Sequence, residues 1–265
     1  MRLSALVPTS LRRRRDPASP ASAHPQWVRG QGLDAEQRRR LGDAGVPESE
    51  LVQLHVRELS GAFPDWWHEQ GNAFFLEDGI ATPDAMIEGM LAGPVRNALV
   101  VLASSVEAMA YCLPRGDRPT VYIGPECSLP RAELHCSDAA NVVLVRKVTS
   151  TFASVIDARN GGSIVAESDQ LWASGTIVTT DDMHRLEDAA TGRRLNPFGA
   201  HIRLGEHVWL GRDVIVTGDV EIGANSVVGA RSLVRGKSFP PNSAIAGTPA
   251  KVVREGITWQ REDTP

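Results

Sequence analysis

The chain has 265 residues and a formal net charge of -4, without the large basic excess that binding to nucleic acid requires. No run of about 18 apolar residues is present, so no membrane-spanning helix is expected. The three cysteines, Cys112, Cys127 and Cys136, are odd in number and lack a Cys-x-x-Cys spacing, which favours a reduced, cytoplasmic protein over a disulfide scaffold.

Residues 1–32 combine Pro8, Pro17, Pro20 and Pro25 with the run Arg12–Arg15, a composition too poor in apolar surface to order itself, and read as a flexible leader. Residues 33–96 read as a small helical or irregular segment. Within it, Asp34 to Leu41 is a short helix with Asp34 as its cap, and a second helical stretch follows Pro47. Trp66, Trp67, Phe74 and Phe75 form an aromatic cluster, either packing for the neighbouring domain or a platform on which a sugar stacks. From Asn97 the texture changes. Leu99-Val-Val-Leu, Val121-Tyr-Ile-Gly and Val142-Val-Leu-Val read as short strands separated by turns.

A step of six residues governs the last part of the chain. From Leu204 the sequence reads Leu-Gly-Glu-His-Val-Trp, Leu210-Gly-Arg-Asp-Val-Ile, Val216-Thr-Gly-Asp-Val-Glu, Ile222-Gly-Ala-Asn-Ser-Val, Val228-Gly-Ala-Arg-Ser-Leu and Val234-Arg-Gly-Lys-Ser-Phe. Val208, Val214 and Val220, then Ser226, Ser232 and Ser238, form a second inward column. In a helix, residues six apart lie about 120° from one another, so this pattern excludes a helix. A short strand plus a tight turn accounts for it, with Gly205, Gly211, Gly223 and Gly229 letting the backbone bend. Three such units make a triangular coil, and stacked coils turn each column into a ladder. The step is followed backwards through Val178, Trp172 and Ala166; between them and the repeat lie Thr179-Thr-Asp-Asp-Met-His184 and a polar segment, 185–200, that reads as an extruded loop.

These repeats resemble the hexapeptide-repeat acyltransferases, whose fold is an all-β solenoid, a left-handed parallel β-helix. The resemblance places this domain at 97–265. Thr180-Asp-Asp-Met-His184, Thr191-Gly-Arg-Arg-Leu-Asn-Pro197 and His207-Val-Trp-Leu-Gly211 are similar to a subgroup that acetylates cell-surface polysaccharides and their sugar precursors. It implies an acetyl-CoA-dependent saccharide O-acetyltransferase, assembled as a homotrimer with its site between subunits.

Acyl transfer to a hydroxyl needs a general base, and imidazole suits that task near neutral pH. Of seven histidines, His184 alone ends a coil beside an insertion and a patch of carboxylates. The resemblance makes His184 the base. Asp182 orients the imidazole, binds the acceptor, or simply forms a turn; Asp181 is a second acceptor-binding candidate. Trp209 either lines the acceptor pocket or packs against a neighbouring subunit, and a backbone amide near Gly211 and Arg212 stabilises the oxyanion. The closing segment Ala244-Ile-Ala-Gly-Thr-Pro-Ala-Lys251 with Arg254 is where the family lays coenzyme A. That assigns Gly247, Lys251 and Arg254 to the coenzyme, together with Arg212, Ala230 and Arg235, the cations suiting phosphate oxygens. Arg235-Gly-Lys237 departs from the common pattern by one residue more. No metal site is expected, because His201 and His207 do not converge. Two other functions fit the same prism: a xenobiotic (antibiotic) O-acetyltransferase, and a non-catalytic β-helix scaffold.

Overall fold

The computed structural model describes residues 27–263; Arg12–Arg15, His24 and most of the segment read as a leader lie outside them. Strands of the described chain stack in parallel into a three-sided solenoid of about seven coils, consistent with a left-handed β-helix. Each coil visits three faces in turn. Face A holds Leu99–Leu102, Thr120–Ile123, Asn141–Leu144, Ser163–Ala166 and His201–Leu204, then the second halves of Ile215–Ile222 and Leu233–Phe239. Face C holds Val148–Ser150, Gln170–Trp172, Trp209–Leu210, Val227–Val228 and Ser243–Gly247. Face B holds Tyr111–Asp117, Glu133–Ser137, Val155–Ala158 and Ile177–Thr179, then the first halves of Ile215–Ile222 and Leu233–Phe239.

The six-residue columns are the interior. Ala166 pairs with Leu204, Trp172 with Leu210 and Val178 with Val216, which confirms the register read backwards across the loop. Leu204, Leu210, Val216, Ile222, Val228 and Val234 are all fully buried, each such aliphatic side chain contributing about 1.5–3 kcal/mol. Trp172 fits within this prism because its lower neighbour in the ladder is the small Ser150. The second column ends early: Ser226 and Ser232 are buried but Ser238 is exposed. Val216 pairs with Val234, but Val220 with Lys237 and Ile222 with Phe239, so the corner at Arg235-Gly-Lys237 is one residue shorter than the one beneath it, not longer as expected, and Phe239 takes the inward place.

The repeat glycines act differently from the expectation. Gly205, Gly211 and Gly223 do not supply the turn; His207, Asp213, Asn225 and Arg231 take the left-handed conformation, with φ of 58°, 56°, 61° and 58°. What needs glycine is the next coil. A Cβ on Gly211 would lie 2.7 Å from the Ala230 nitrogen, and one on Gly223 would lie 2.3 Å from that of Pro241.

The parallel ladder of face A begins upstream of residue 97, with Ala73–Glu77 pairing along Leu99–Leu102. Val56–Ser60 and Val28–Arg29 extend that sheet antiparallel. Helix Ala35–Ala44 starts at a capping box, in which Asp34 accepts from the Gln37 amide and the Gln37 side chain accepts from the Asp34 amide. Helix Glu48–Gln53 follows Pro47, as expected, while Leu59 belongs to a strand. These two helices bury Leu41, Ala44 and Leu51 against the outward side chains Phe75, Val101, Tyr122 and Val143 of face A. Strands covered on both sides read as continuous apolar runs, which is why Leu99-Val-Val-Leu does not alternate. The aromatic cluster is mainly packing: Trp67, Phe74 and Phe75 are buried, Phe63 stacks on Trp67 at 4.7 Å, and only Trp66 is partly exposed.

The C-terminal segment closes the structure. Ala250–Glu255 folds back antiparallel on Ser243–Gly247, and the chain then runs down the corner between faces A and C. There the Trp259 indole donates to the His207 carbonyl and stacks on its ring at 4.0 Å, and Arg261 reaches Asp169 and the Gln170 carbonyl.

Candidate active site

The step between coils is not constant. Leu99 pairs with Thr120 and Thr120 with Asn141, 21 residues on, whereas Ile202 pairs with Val220, 18 residues on. The surplus sits at the corner where face B passes to face A, around Arg118, Asp138–Ala139 and Asn160–Gly161, whose backbones are left-handed. Residues 180–200 leave the prism at this same corner, directly after Thr179.

Their base is fastened to the coil below. The Thr180 hydroxyl accepts from the Arg159 amide, and the Asp181 carboxylate accepts from Asn160 Nδ2 at 2.6 Å and from the Met183 amide at 2.7 Å. Asp181, expected to bind the acceptor, is 8% exposed and has both its oxygens engaged in fastening the base of the loop. Beyond it the segment is an ordered hairpin. Glu187 bridges Arg194, Leu195 donates to Leu186, and Asp188 caps the turn by accepting from Ala190, Thr191 and the Thr191 hydroxyl. The Thr191 bonds hold the Asp188 carboxyl below its ordinary range.

Asn196 buckles the hairpin. Its Nδ2 donates to the His184 carbonyl at 2.7 Å and its Oδ1 accepts from the Leu186 amide at 2.8 Å, so it fixes the backbone on both sides of Arg185. The segment Thr191–Pro197 was legible in the sequence, but a side chain whose partners lie ten to fourteen residues away across a hairpin leaves no spacing signal. His184 itself is exposed, and its imidazole makes no hydrogen bond among the described residues. Asp182 does not hold that ring. Its carboxylate lies 3.3 Å from Asn196 Nδ2 and 3.6 Å from the Arg235 guanidinium.

The residues assigned to the coenzyme divide between two edges of face B. Arg212, Ala230 and Gly247 stack in successive coils at the corner between faces C and B. There the Arg231 amide donates to the Arg212 carbonyl and Ser232 Oγ accepts from the Gly247 amide. Lys251 pairs across from Ala246 and joins that corner, while Arg254, opposite Ala244, lies further along face C. Both side chains are exposed and have no ion-pair partner among the described residues. Arg235 lies at the opposite edge of face B, in the ladder of Thr179 and Thr217, beside Asp182. Trp209, 38% exposed, stands on face C with its ring 6.0 Å from that of Trp259, so face B separates it from His184 within one chain. The Gly211 amide is spent on the Val228 carbonyl; the Arg212 amide has no backbone acceptor among the described residues and is a free donor at that corner. His201 bonds Ser163, and His207 lies between Asp169 and the Trp259 carbonyl. Among the described residues no group of three His, Cys, Asp or Glu side chains is arranged to hold a metal.

Residues 201–236 match the bacterial transferase hexapeptide family of six repeats. Those residues form the upper coils of the prism, in register with the coils beneath them. Among solved structures, the polysialic-acid-specific acetyltransferase NeuO is 25% identical, with a TM-score of 0.52, over 64% of this chain and 78% of that one. The polysialic acid O-acetyltransferase OatWY is 27% identical over 64% of this chain and 76% of its own, with a TM-score of 0.43. A galactoside acetyltransferase in complex with coenzyme A is 22% identical over 51% and 62%, with a TM-score of 0.35. No curated protein sequence matches the chain. The likeness to NeuO supports an acyltransferase for this hexapeptide-repeat protein.

Proposed function

We propose that this protein transfers an acetyl group from acetyl-CoA to a hydroxyl of a saccharide, with His184 as general base, in the cytoplasm and as a homotrimer. The observation that carries the reading is the likeness to the polysialic-acid-specific acetyltransferase, joined to an unpartnered imidazole on an ordered hairpin at the corner of the prism. His184 takes the proton of the attacking hydroxyl, which raises its nucleophilicity as the carbon–oxygen bond forms at the thioester carbonyl. The tetrahedral oxyanion is met by the free Arg212 amide, and the coenzyme thiolate leaves as the carbonyl re-forms. Lys251 and Arg254 pair with coenzyme phosphates, and Gly247 gives the pantetheine room to lie against backbone. Arg235 and Asp182 bind beside the reacting hydroxyl, and Asp182 does so as the partner of Arg235.

Assembly supports the same reading. Met183, Leu186, Leu195 and Phe198 all lie on the hairpin with 44–58% of their surface exposed, apolar surface of the kind that a second copy of the chain buries. A neighbouring subunit also removes the geometric objection: it brings its own Trp209 and Arg212 corner to this chain's His184. The test is a mass spectrum of saccharides incubated with enzyme and acetyl-CoA, read beside sedimentation equilibrium. An acetyl ester formed by a trimer is expected. A monomer with full activity contradicts the shared site, and the absence of any acetylated saccharide contradicts the acceptor class.

A further inference from the structure

A cavity of about 770 Å³ opens at the N-terminal end of the solenoid, lined by Trp66, Gln70, Leu91, Arg96, Asp117 and Asp138 among others. Its size lies within the range of roughly 300–1,000 Å³ typical of small-molecule sites. Trp66 is partly buried, and the helix Asp65–Glu69 that carries it is pinned by Trp67, which is buried in the core beneath. Asp117 accepts from Asn97 Nδ2 at 2.9 Å and pairs with Arg96 at 3.1 Å. Asp138 is exposed, and its carboxylate has no partner among the described residues. Gly116 makes room for it, since a Cβ there would lie 2.0 Å from Asp138 Oδ1.

The chemistry of this lining selects its ligand. One guanidinium, already spent on Asp117, faces two carboxylates, so no cation is left over for a phosphate or a carboxylate ligand. An aromatic wall beside free acceptors and an amide suits a molecule with one apolar face and many hydroxyls. That molecule is a neutral saccharide.

Position ties the cavity to the hairpin. The Ala139 amide donates to the Asp117 carbonyl, the Gly161 amide to the Asp138 carbonyl, and Asn160 Nδ2 to Asp181. Asp138 is therefore two coils below Asp181 on one corner, roughly 10 Å at the ~4.8 Å spacing of stacked strands. A saccharide of a few residues spans that interval.

We propose that the cavity is a distal subsite for a neutral saccharide chain, seated on Trp66 and bound by Asp138, Asp117 and Gln70, whose other end reaches the His184 hairpin. The link to transfer rests on the acetyltransferase reading; the binding site itself does not. The experiment is an array of neutral and acidic oligosaccharides of graded length, probed with wild type, Trp66→Ala, Asp138→Asn and His184→Ala, followed by transfer kinetics on any that bind. Wild type and His184→Ala should bind neutral chains, and Trp66→Ala and the surface variant Asp138→Asn should each weaken binding about tenfold, the equivalent of about 1.4 kcal/mol. Monosaccharide turnover should be unchanged in both variants. Binding to acidic chains alone, binding indifferent to both variants, or no binding at all overturns the subsite. Binding that depends on Trp66 but never leads to acetylation upholds the subsite and sinks the acetyltransferase reading.

Discussion

Above residue 201 the solenoid climbs in steps of 18 residues and then 17, whereas from Leu99 to Ala166 the steps are 21 or 22. In the upper coils almost every residue has a fixed task, and the corners are so tight that glycine is required beneath the next backbone. In the lower coils the surplus residues collect at one corner, and that corner carries both the cavity and the hairpin of His184. A regular prism is thus the scaffold, and the departures from its period hold the residues to which the proposed chemistry is assigned.

Four experiments sharpen this contrast, the largest effect first. His184→Ala removes the imidazole proposed as the base without touching the prism; kcat should fall by about 10²–10⁴-fold. Coenzyme binding measured by calorimetry should be preserved, and a variant as active as wild type would remove His184 from the mechanism. Gly223→Ala, in a tight corner, drives a Cβ to within 2.3 Å of the Pro241 backbone and should cost about 3 kcal/mol in denaturant unfolding. Gly161→Ala, in a wide corner with nothing within 4 Å, incurs only the strain of its φ of 77°, about 1 kcal/mol. Equal costs would mean that the two kinds of corner do not differ.

The third experiment concerns the C-terminal strap. Burial opposes ionisation of Asp169, but the bonds from His207, Lys147 and Arg261 outweigh it and hold the carboxyl at about 2. A carboxyl lowered in the folded state adds stability that is present in full above its ordinary value of 3.8 and is lost as the pH falls through about 2. Trp259 fluorescence should therefore report release of the strap across that window in wild type and no such transition in Asp169→Asn. The smallest effect is expected of Asn196→Ala, a positioning change that should lower kcat by about threefold to tenfold with the KM for acetyl-CoA unchanged. Asn196→Asp keeps the bond from Leu186 but turns an acceptor toward the His184 carbonyl and the Asp182 carboxylate, and should recover none of that loss.

The sequence revealed the fold wherever a side chain's place follows from its number. Leu204 to Val234 could be read because each sixth residue is inward, and Ala166, Trp172 and Val178 because the same step survives across the loop. The first coils were legible only as apolar strands, since their corners vary in length and the helices after Asp34 cover the outward side of face A. That cover hides the alternation that His201–Leu204 keeps. At the site, the exposed His184 was legible from its place between a coil and an insertion. The roles of Asp181, Asn196 and Trp259 were not, because each depends on a partner brought close by coiling, 12 to 52 residues away.

The most direct measurement of the central claim is release of free coenzyme thiol from acetyl-CoA, followed with a chromogenic reagent in the presence and absence of oligosaccharides. Release that requires both the enzyme and a saccharide, matched by one acetyl ester formed for each thiol freed, is the predicted result. Failure to bind acetyl-CoA, or release at the same rate whether or not a saccharide is present, would contradict it.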